Sequence, residues 1–536
     1  MGVPVEKITY TSTPDQIRAM HSAFDAALAE VTAEFGRTYP IVIDGEERTG
    51  RSAFSVVAPA DNSVTLGVYQ YATRQDMDDA VAAAKAAYPA WSGLDYRERV
   101  RILRRAAALV RERKFRLSAL LVWECGKNRL EAIGEVEEAA DMIDEYTAQM
   151  ETTNGFVTPL GSLDPAEKNR SVLRPFGVWA VLAPFNFPFA LSLGMSSGAL
   201  LAGNTVVFKP ASATPIAGYE LMKIWHEAGV PGGAFNFITG SGEEIGEPLA
   251  LHPDVDGVIF TGSREVGFDI YKRIGEQYAK PCITELGGKN PVIVTAKANL
   301  AKAVEGVARS AFGFSGQKCS ACSRVYVERP VYDDFMEKLT NRTQELAVGD
   351  PQDKDVYVGP VINQRAVRRY EEAMQLADGG NIRTGGEVLS GGEYDKGRFV
   401  APTVIDGLPP SHELFHRELF LPVVVVAPYD NLDEALTWAN ETEYGLTAGI
   451  FSEDRGEIMQ FMDGIEAGVV YANRKGGATT GAWPGCQSFA GWKGSGSSGK
   501  GGLGPWYVQQ FLREQSRTIV VDDAKEDPYM EMAAGE

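Results

Sequence analysis

"GVWAVLAPFNFPFALSLGMSSGALLAGNTVVFKPAS", residues 177–212, is the stretch on which the fold turns. "GVWAVLAP" and "TVVFKPAS" are short apolar runs of strand type, and "FALSLGMSSGALLAG" between them has helical length. No charge occurs from Pro175 to Phe208, 34 residues, longer than a membrane span requires. Pro184, Asn186, Pro188 and Asn204 interrupt that run. A central strand buried on both faces and flowing into a packed helix has the same composition, so the stretch reads as interior α/β structure.

Moving outward, the alternation continues. "PIAGYELMKIWHEAG" (215–229), "AFNFITG" (234–240), "DGVIFTG" (256–262) and "SREVGFDIYKRIGEQYA" (263–279) repeat helix and strand, which predicts a parallel, doubly wound sheet. A second alternating region starts at "NPVIVTAKA" and runs past residue 470 through "SRVYVERP", "FLPVVVVAPY" and "AGIFSED". Toward the N-terminus the first 150 residues read mostly helical, opening with a capping box at Thr13–Gln16 with Pro14 at the first helical position. The short strand "YPIVIDG" follows. The tail "SRTIVVDD" is a strand with no neighbour in sequence, which needs another subunit or the hairpin-like segment near 150–173 to pair with.

Bulk properties bound the function. A chain of 536 residues exceeds one ordinary core, and 44% hydrophobic with 23% charged residues is a globular composition. The net charge of −20 argues against nucleic acid or an anionic membrane as partner. Five cysteines scattered through this length make no disulfide framework, and no basic flank precedes an apolar core at the N-terminus. A reducing cytoplasm is the expected location.

Two strand-to-helix turns carry glycines, "ITGSGEEIG" with Gly242 and Gly246, and "FTGSREVG" with Gly262 and Ser263. Small residues there let backbone N–H groups approach a phosphate at a helix N-terminus, beside Lys209 at the end of "VVFKPAS". Neither turn is the standard G-x-G-x-x-G, and ordinary tight turns remain an alternative for each. In "GFSGQKCSACSR" (313–324), Cys319 and Cys322 lie three apart, but the five histidines offer no metal spacing, so no metal is expected. Cys319, behind small residues and beside Lys318, which would favour the thiolate, is the candidate nucleophile, with Cys322 an inert buried thiol. Glu285 in "ITELGGKNPVIV" is a candidate base. Asn186, held between Pro184 and Pro188 in "APFNFP", is a candidate oxyanion donor, a kind of group whose loss costs about 2.7–4 kcal/mol.

"APFNFP", "VVFKPAS", "FTGSREVG", "ELGGKNP", "GQKCS" and "ELFLPVV" stand in the order and spacing of the aldehyde dehydrogenase superfamily, which the chain resembles from about residue 40 to 525. The resemblance implies an α/β fold with three parts. Residues 1–149 and 174–285 would form a Rossmann-type parallel-sheet NAD domain, 286–504 an α/β catalytic domain, and 150–173 with 505–536 a small β oligomerisation element and tail. It implies that Cys319 is the nucleophile, Asn186 with the Cys319 N–H the oxyanion hole, and Glu285 the base for the deacylating water. For the cofactor, NAD or NADP, it implies Lys209 and Ser212 at the adenosine ribose, and Gly242, Gly246, Gly262 and Ser263 in the glycine turns. Glu418 would hold the nicotinamide ribose with Phe420 beside it.

"GQKCSACSR" with "GATTGAWPG" is most similar to the 1-pyrroline-5-carboxylate (glutamate semialdehyde) dehydrogenase group, which implies Ser320, Gly481 and Ala482 at a substrate carboxylate and Phe489 at the pocket. Trp483 and Trp492 equally suit an aromatic or longer aliphatic aldehyde. The expected partners are a small aldehyde and further copies of the chain in a homo-oligomer. Two other classes compete: a cysteine esterase using half the cycle, and a structural protein that has lost turnover.

Overall fold

A computed structural model of the chain describes residues 7–9, 12–276, 278–474 and 482–522. Residues 177–212 form strand, helix and strand, with Val178–Leu182 and Thr205–Lys209 paired in parallel around the helix Ala190–Ala202. Every residue of both strands is buried. Helices cover the sheet on both faces, which is why the strands run apolar without alternating.

The first large sheet has the order Cys282–Glu285, Gly257–Thr261, Val178–Leu182, Thr205–Lys209, Phe235–Phe237, all parallel. An antiparallel hairpin, Ile41–Ile43 and Glu46–Arg48, closes its edge, the first strand supplied by "YPIVIDG". From Val178–Leu182 the next two strands add on one side and the last two on the other. The strand order therefore reverses beside Val178–Leu182, and α/β sheets bind ligands at the carboxyl ends of strands at such a point.

The second sheet runs Asn381–Thr384, Thr403–Asp406, Val423–Tyr429, Cys322–Glu328, Asn290–Val294, Thr447–Phe451, Val469–Ala472, parallel except at the Asn381–Thr384 edge. Its side chains divide between two cores, Val292, Val294, Val325 and Val327 in one and Ile293 and Tyr326 in the other. Residues 286–289 carry the chain from the first sheet into the second, because Cys282–Glu285 ends the first and Asn290–Val294 begins the second.

The N-terminal region contains helices Pro14–Thr32, Arg74–Gly93, Tyr96–Glu112, Lys114–Cys125 and Arg129–Thr152, the first capped by Thr13 and Gln16 as read. It is less helical than expected, since Thr38–Tyr39, Thr65–Gln70 and Ala53–Val57 form a small sheet whose short strands alternate too weakly to register. The tail strand Leu512–Val520 pairs antiparallel with Glu167–Pro175 of its own chain, beside Val157–Pro159, and remains a sheet edge. Among the described residues no helix is long and apolar enough to cross a membrane.

Candidate active site

Glu285 ends a strand of the first sheet and Cys319 lies just before a strand of the second. The 286–289 crossing brings them together. A Cβ on Gly288 would stand 2.5 Å from the Cys319 carbonyl oxygen, so the two backbones touch at a place where any side chain would collide. Asn290, at the far end of the crossing, donates from Nδ2 to the carbonyls of Cys319 (2.7 Å) and Ala321 (2.9 Å), and its Oδ1 accepts from Thr447 N. This residue was missed in the sequence; its position before Pro291 at a strand start gives no hint of a partner 29 residues away.

The approach to Cys319 is unusual backbone. Phe314, Ser315 and Gly316 are consecutive left-handed residues, at φ +51°, +55° and +67°. For the two non-glycines this costs of order 1–2 kcal/mol each, offset by the Ser315 hydroxyl donating to Gly359 O (2.7 Å) and by Ile362 N donating to Gln317 Oε1 (2.9 Å). The expected help from Lys318 is absent. Its ammonium donates to both oxygens of Glu131 at 2.6 Å and is neutralised there. Burial pushes the Cys319 thiol well up, reinforced by the carboxylates of Glu285 and Glu418, while the N–H groups of Ser320 and Cys319 itself aim at the sulfur and pull it down. Cys322 is fully buried, its thiol pushed up to about 12 by burial. Burial likewise raises Glu285 to about 8, in the range where a carboxylate is an effective base near neutral pH.

Asn186 is buried in the loop between Val178–Leu182 and Ala190–Ala202, and its amide makes no hydrogen bond among the described residues. The loop is fixed by a buried pair. Lys127 donates to Glu135 at 2.5 Å, and the other Glu135 oxygen accepts from Phe189 N (2.9 Å) and Ala190 N (3.1 Å) at the helix start. The Lys127 ammonium lies 3.5 Å from the ring centre of Phe187 and 4.7 Å from that of Phe314, touching the Asn186 loop and the Cys319 loop at once. Helix Arg129–Thr152 thus holds both loops, Glu135 the first and Glu131 the second through Lys318.

The nucleotide candidates gather at the carboxyl ends of the first sheet. Lys209 is almost fully buried, donates to Pro210 O (3.1 Å), and is held down to about 8 by burial. Its remaining donors fit the hydroxyls of a ribose. Gly246 lies against its stem, where a Cβ would come within 3.4 Å, and the Ser212 hydroxyl donates to Gly240 O (2.8 Å), tying two neighbouring turns. Around Gly242 there is open space. Gly262 N donates to Glu285 O (3.2 Å), and Ser263 starts helix Arg264–Arg273 without a side-chain cap, which leaves its N-terminal donors for an anion. Glu418 accepts from Gly288 N (2.8 Å) and is raised to about 7 by burial. Phe420, left-handed at φ +59°, meets Phe185 edge to face at 5.8 Å. The residues present fit a nicotinamide dinucleotide, and among the described residues no cluster could hold a metal.

A single largely apolar cavity joins Cys319, Ser320, Glu285, Ala482 and Phe489. Gly481 falls outside the described residues. The sequence reading missed Glu138, Met142 and Tyr146, which line this cavity from helix Arg129–Thr152, and Lys500 from the glycine-rich stretch opposite. Their spacing of four along one helix was the available signal.

The sequence profile of the Aldehyde dehydrogenase family matches residues 46–516. A 1-pyrroline-5-carboxylate dehydrogenase of Geobacillus sp. (strain WCH70) is 40% identical over 509 residues, covering 94% of this chain and 96% of that protein. The 1-pyrroline-5-carboxylate dehydrogenase 2 of Bacillus subtilis (strain 168) is 39% identical over 527 residues, 97% of this chain and 99% of that one. The crystal structure of 1-pyrroline-5-carboxylate dehydrogenase from Thermus with bound NAD superposes with a TM-score of 0.90 at 36% identity, over 97% of this chain and 99% of that chain.

Proposed function

The chain belongs to the aldehyde dehydrogenase family, and from that premise we propose that it oxidises L-glutamate 5-semialdehyde to glutamate through a thioester on Cys319. The observation that carries this reading is the shared cavity of Cys319 and Glu285 at the carboxyl edge of the sheet bearing Lys209, Gly262 and Ser263. The relatives named above supply the substrate.

Cys319 Sγ attacks the aldehyde carbon, and its proton passes to a base. The carbonyl oxygen becomes an oxyanion where the Asn186 amide and the Cys319 N–H meet it, a stabilisation that exists only once charge develops. A dinucleotide held here, NAD or NADP, would supply the acceptor for the hydride that leaves the former aldehyde carbon, so that a thioester remains on the sulfur. Glu285 then takes a proton from water, whose oxygen attacks the thioester carbon and releases the carboxylate and the thiol. Ser320 and the Gly481–Ala482 backbone receive the far carboxylate, for which N–H groups and a hydroxyl are suited donors. Lys209, Ser212, Gly242, Gly246, Gly262, Ser263, Glu418 and Phe420 would hold the dinucleotide.

We assign assembly with further copies of the chain to the exposed sheet of Glu167–Pro175 and Leu512–Val520. The free cysteines, which include Cys125, Cys282 and Cys486, suit a reducing cytoplasm. The test is reduced-dinucleotide formation at 340 nm with glutamate 5-semialdehyde and a panel of uncharged and aromatic aldehydes, each with NAD and NADP. The semialdehyde is expected to have the highest kcat/KM. Ester cleavage indifferent to nucleotide, with no reduction of it, would replace the dehydrogenase with a hydrolase.

A further inference from the structure

Trp483 directly follows Ala482 in the loop facing the nucleophile, and its indole Nε1 donates to Asp141 Oδ2 at 2.7 Å. Asp141 stands on helix Arg129–Thr152 next to Met142, which lines the cavity. The Asp141 carboxylate also pairs with Lys7, from the N-terminal segment, and accepts from Arg111 at 2.9 Å. The Lys7 ammonium stands over the Trp483 ring, 5.4 Å from its centre. Four segments of the chain meet here, and none of these residues touches the reacting atoms.

We propose that Asp141, acting through Trp483, fixes the loop that receives the far end of the substrate and so selects aldehydes bearing a remote carboxylate. The inference rests on the substrate reading above. Backbone N–H groups hold an anion against water only when they are already aimed. The Ala482 methyl cannot aim that backbone, and the adjoining indole ties it to helix Arg129–Thr152. Lys7 and Arg111 have a second effect. They cancel the charge of Asp141, which would otherwise repel a substrate carboxylate approaching the same wall.

The experiment compares glutamate 5-semialdehyde with pentanal, of equal chain length and no charge, on the full-length enzyme. Trp483→Phe keeps the ring and loses the donor, while Asp141→Ala removes the acceptor. Each is expected to raise KM for the semialdehyde about tenfold, with kcat and the kcat/KM for pentanal within about twofold of wild type. The double variant should be no worse than the more affected single one, because both break one link. Lys7→Met should raise the same KM about threefold. Equal losses with both aldehydes, or no loss with either, overturn the proposal. If wild type itself does not prefer the semialdehyde to pentanal, the substrate reading falls and this inference falls with it. If wild type discriminates and the variants discriminate equally, only the inference falls.

Discussion

From Gly313 to Cys322 the chain is fastened at its backbone: left-handed residues, a Gly288 that admits no Cβ, and carbonyls of Cys319 and Ala321 that accept from the Asn290 amide. From Ala482 to Leu503 the opposite wall is a loop closed on itself by backbone bonds, Gly485 N to Leu503 O and Phe489 N to Gly502 O, but tied to helix Arg129–Thr152 by side-chain links, Trp483 to Asp141 and Tyr146 Oη accepting from Leu503 N at 3.2 Å. Backbone fastening tolerates almost no substitution and fixes a geometry that all substrates share. Side-chain fastening can be exchanged one residue at a time, which is where a preference among aldehydes can be tuned without disturbing the chemistry.

The largest expected effect lies on the backbone-fastened side. Cys319→Ala should cost at least about 10⁴-fold in turnover, as loss of a nucleophile does, and should remove esterase activity too. Turnover above about 1% of wild type would show that the sulfur is not the nucleophile. Glu285→Gln should lower steady turnover by about 10²–10⁴-fold while sparing the first burst of reduced dinucleotide in stopped flow. Wild-type turnover should also rise with pH through about 8, because below that value the Glu285 carboxyl holds its proton and cannot take one from water. That rising limb should vanish in Glu285→Gln, and its persistence would give the titration to another group.

Gly288→Ala sharpens the comparison most directly. The added methyl meets the Cys319 carbonyl, and a displacement near 1 Å at the nucleophile should cost about 10²-fold in kcat, whichever aldehyde is supplied. A loss restricted to carboxylate-bearing aldehydes would erase the distinction between the two walls. Cys322→Ala is the smallest change. It should leave kcat within about twofold and lower stability by about 1 kcal/mol, the usual size for a buried substitution, read by urea unfolding. A loss comparable to that of Cys319→Ala would revive a paired-cysteine mechanism.

Much of this architecture could be read from residues 177–212 and the alternation around them, because strands buried on both faces leave uncharged runs bounded by turns. Cys319, Glu285 and Asn186 stood out through the small or rigid residues beside them. What escaped depended on partners distant in sequence. Lys318 adjoins Cys319 along the chain but is paired to Glu131, 187 positions earlier. Helix Arg129–Thr152 is buried nearly all round, so its carboxylates formed no polar stripe, and Glu131, Glu135, Glu137 and Asp141 pair with Lys318, Lys127, Lys114 and Lys7, cations no local pattern announces. Asn290 is the same case at short range, a side chain whose work is done on two carbonyls of another loop.

Helix Arg129–Thr152 also fixes when a newly made molecule can first act. Its Gln149 donates to Gly504 O, 355 residues later. At a synthesis rate of about 5–20 residues per second, roughly 20–70 s separate the two ends of that bond on the ribosome. For that interval the nascent chain carries the helix sequence, rich in carboxylates and apolar side chains, with one wall of its cavity not yet translated. Such an exposed half-site is the surface a chaperone would be called on to shield until the last segment emerges.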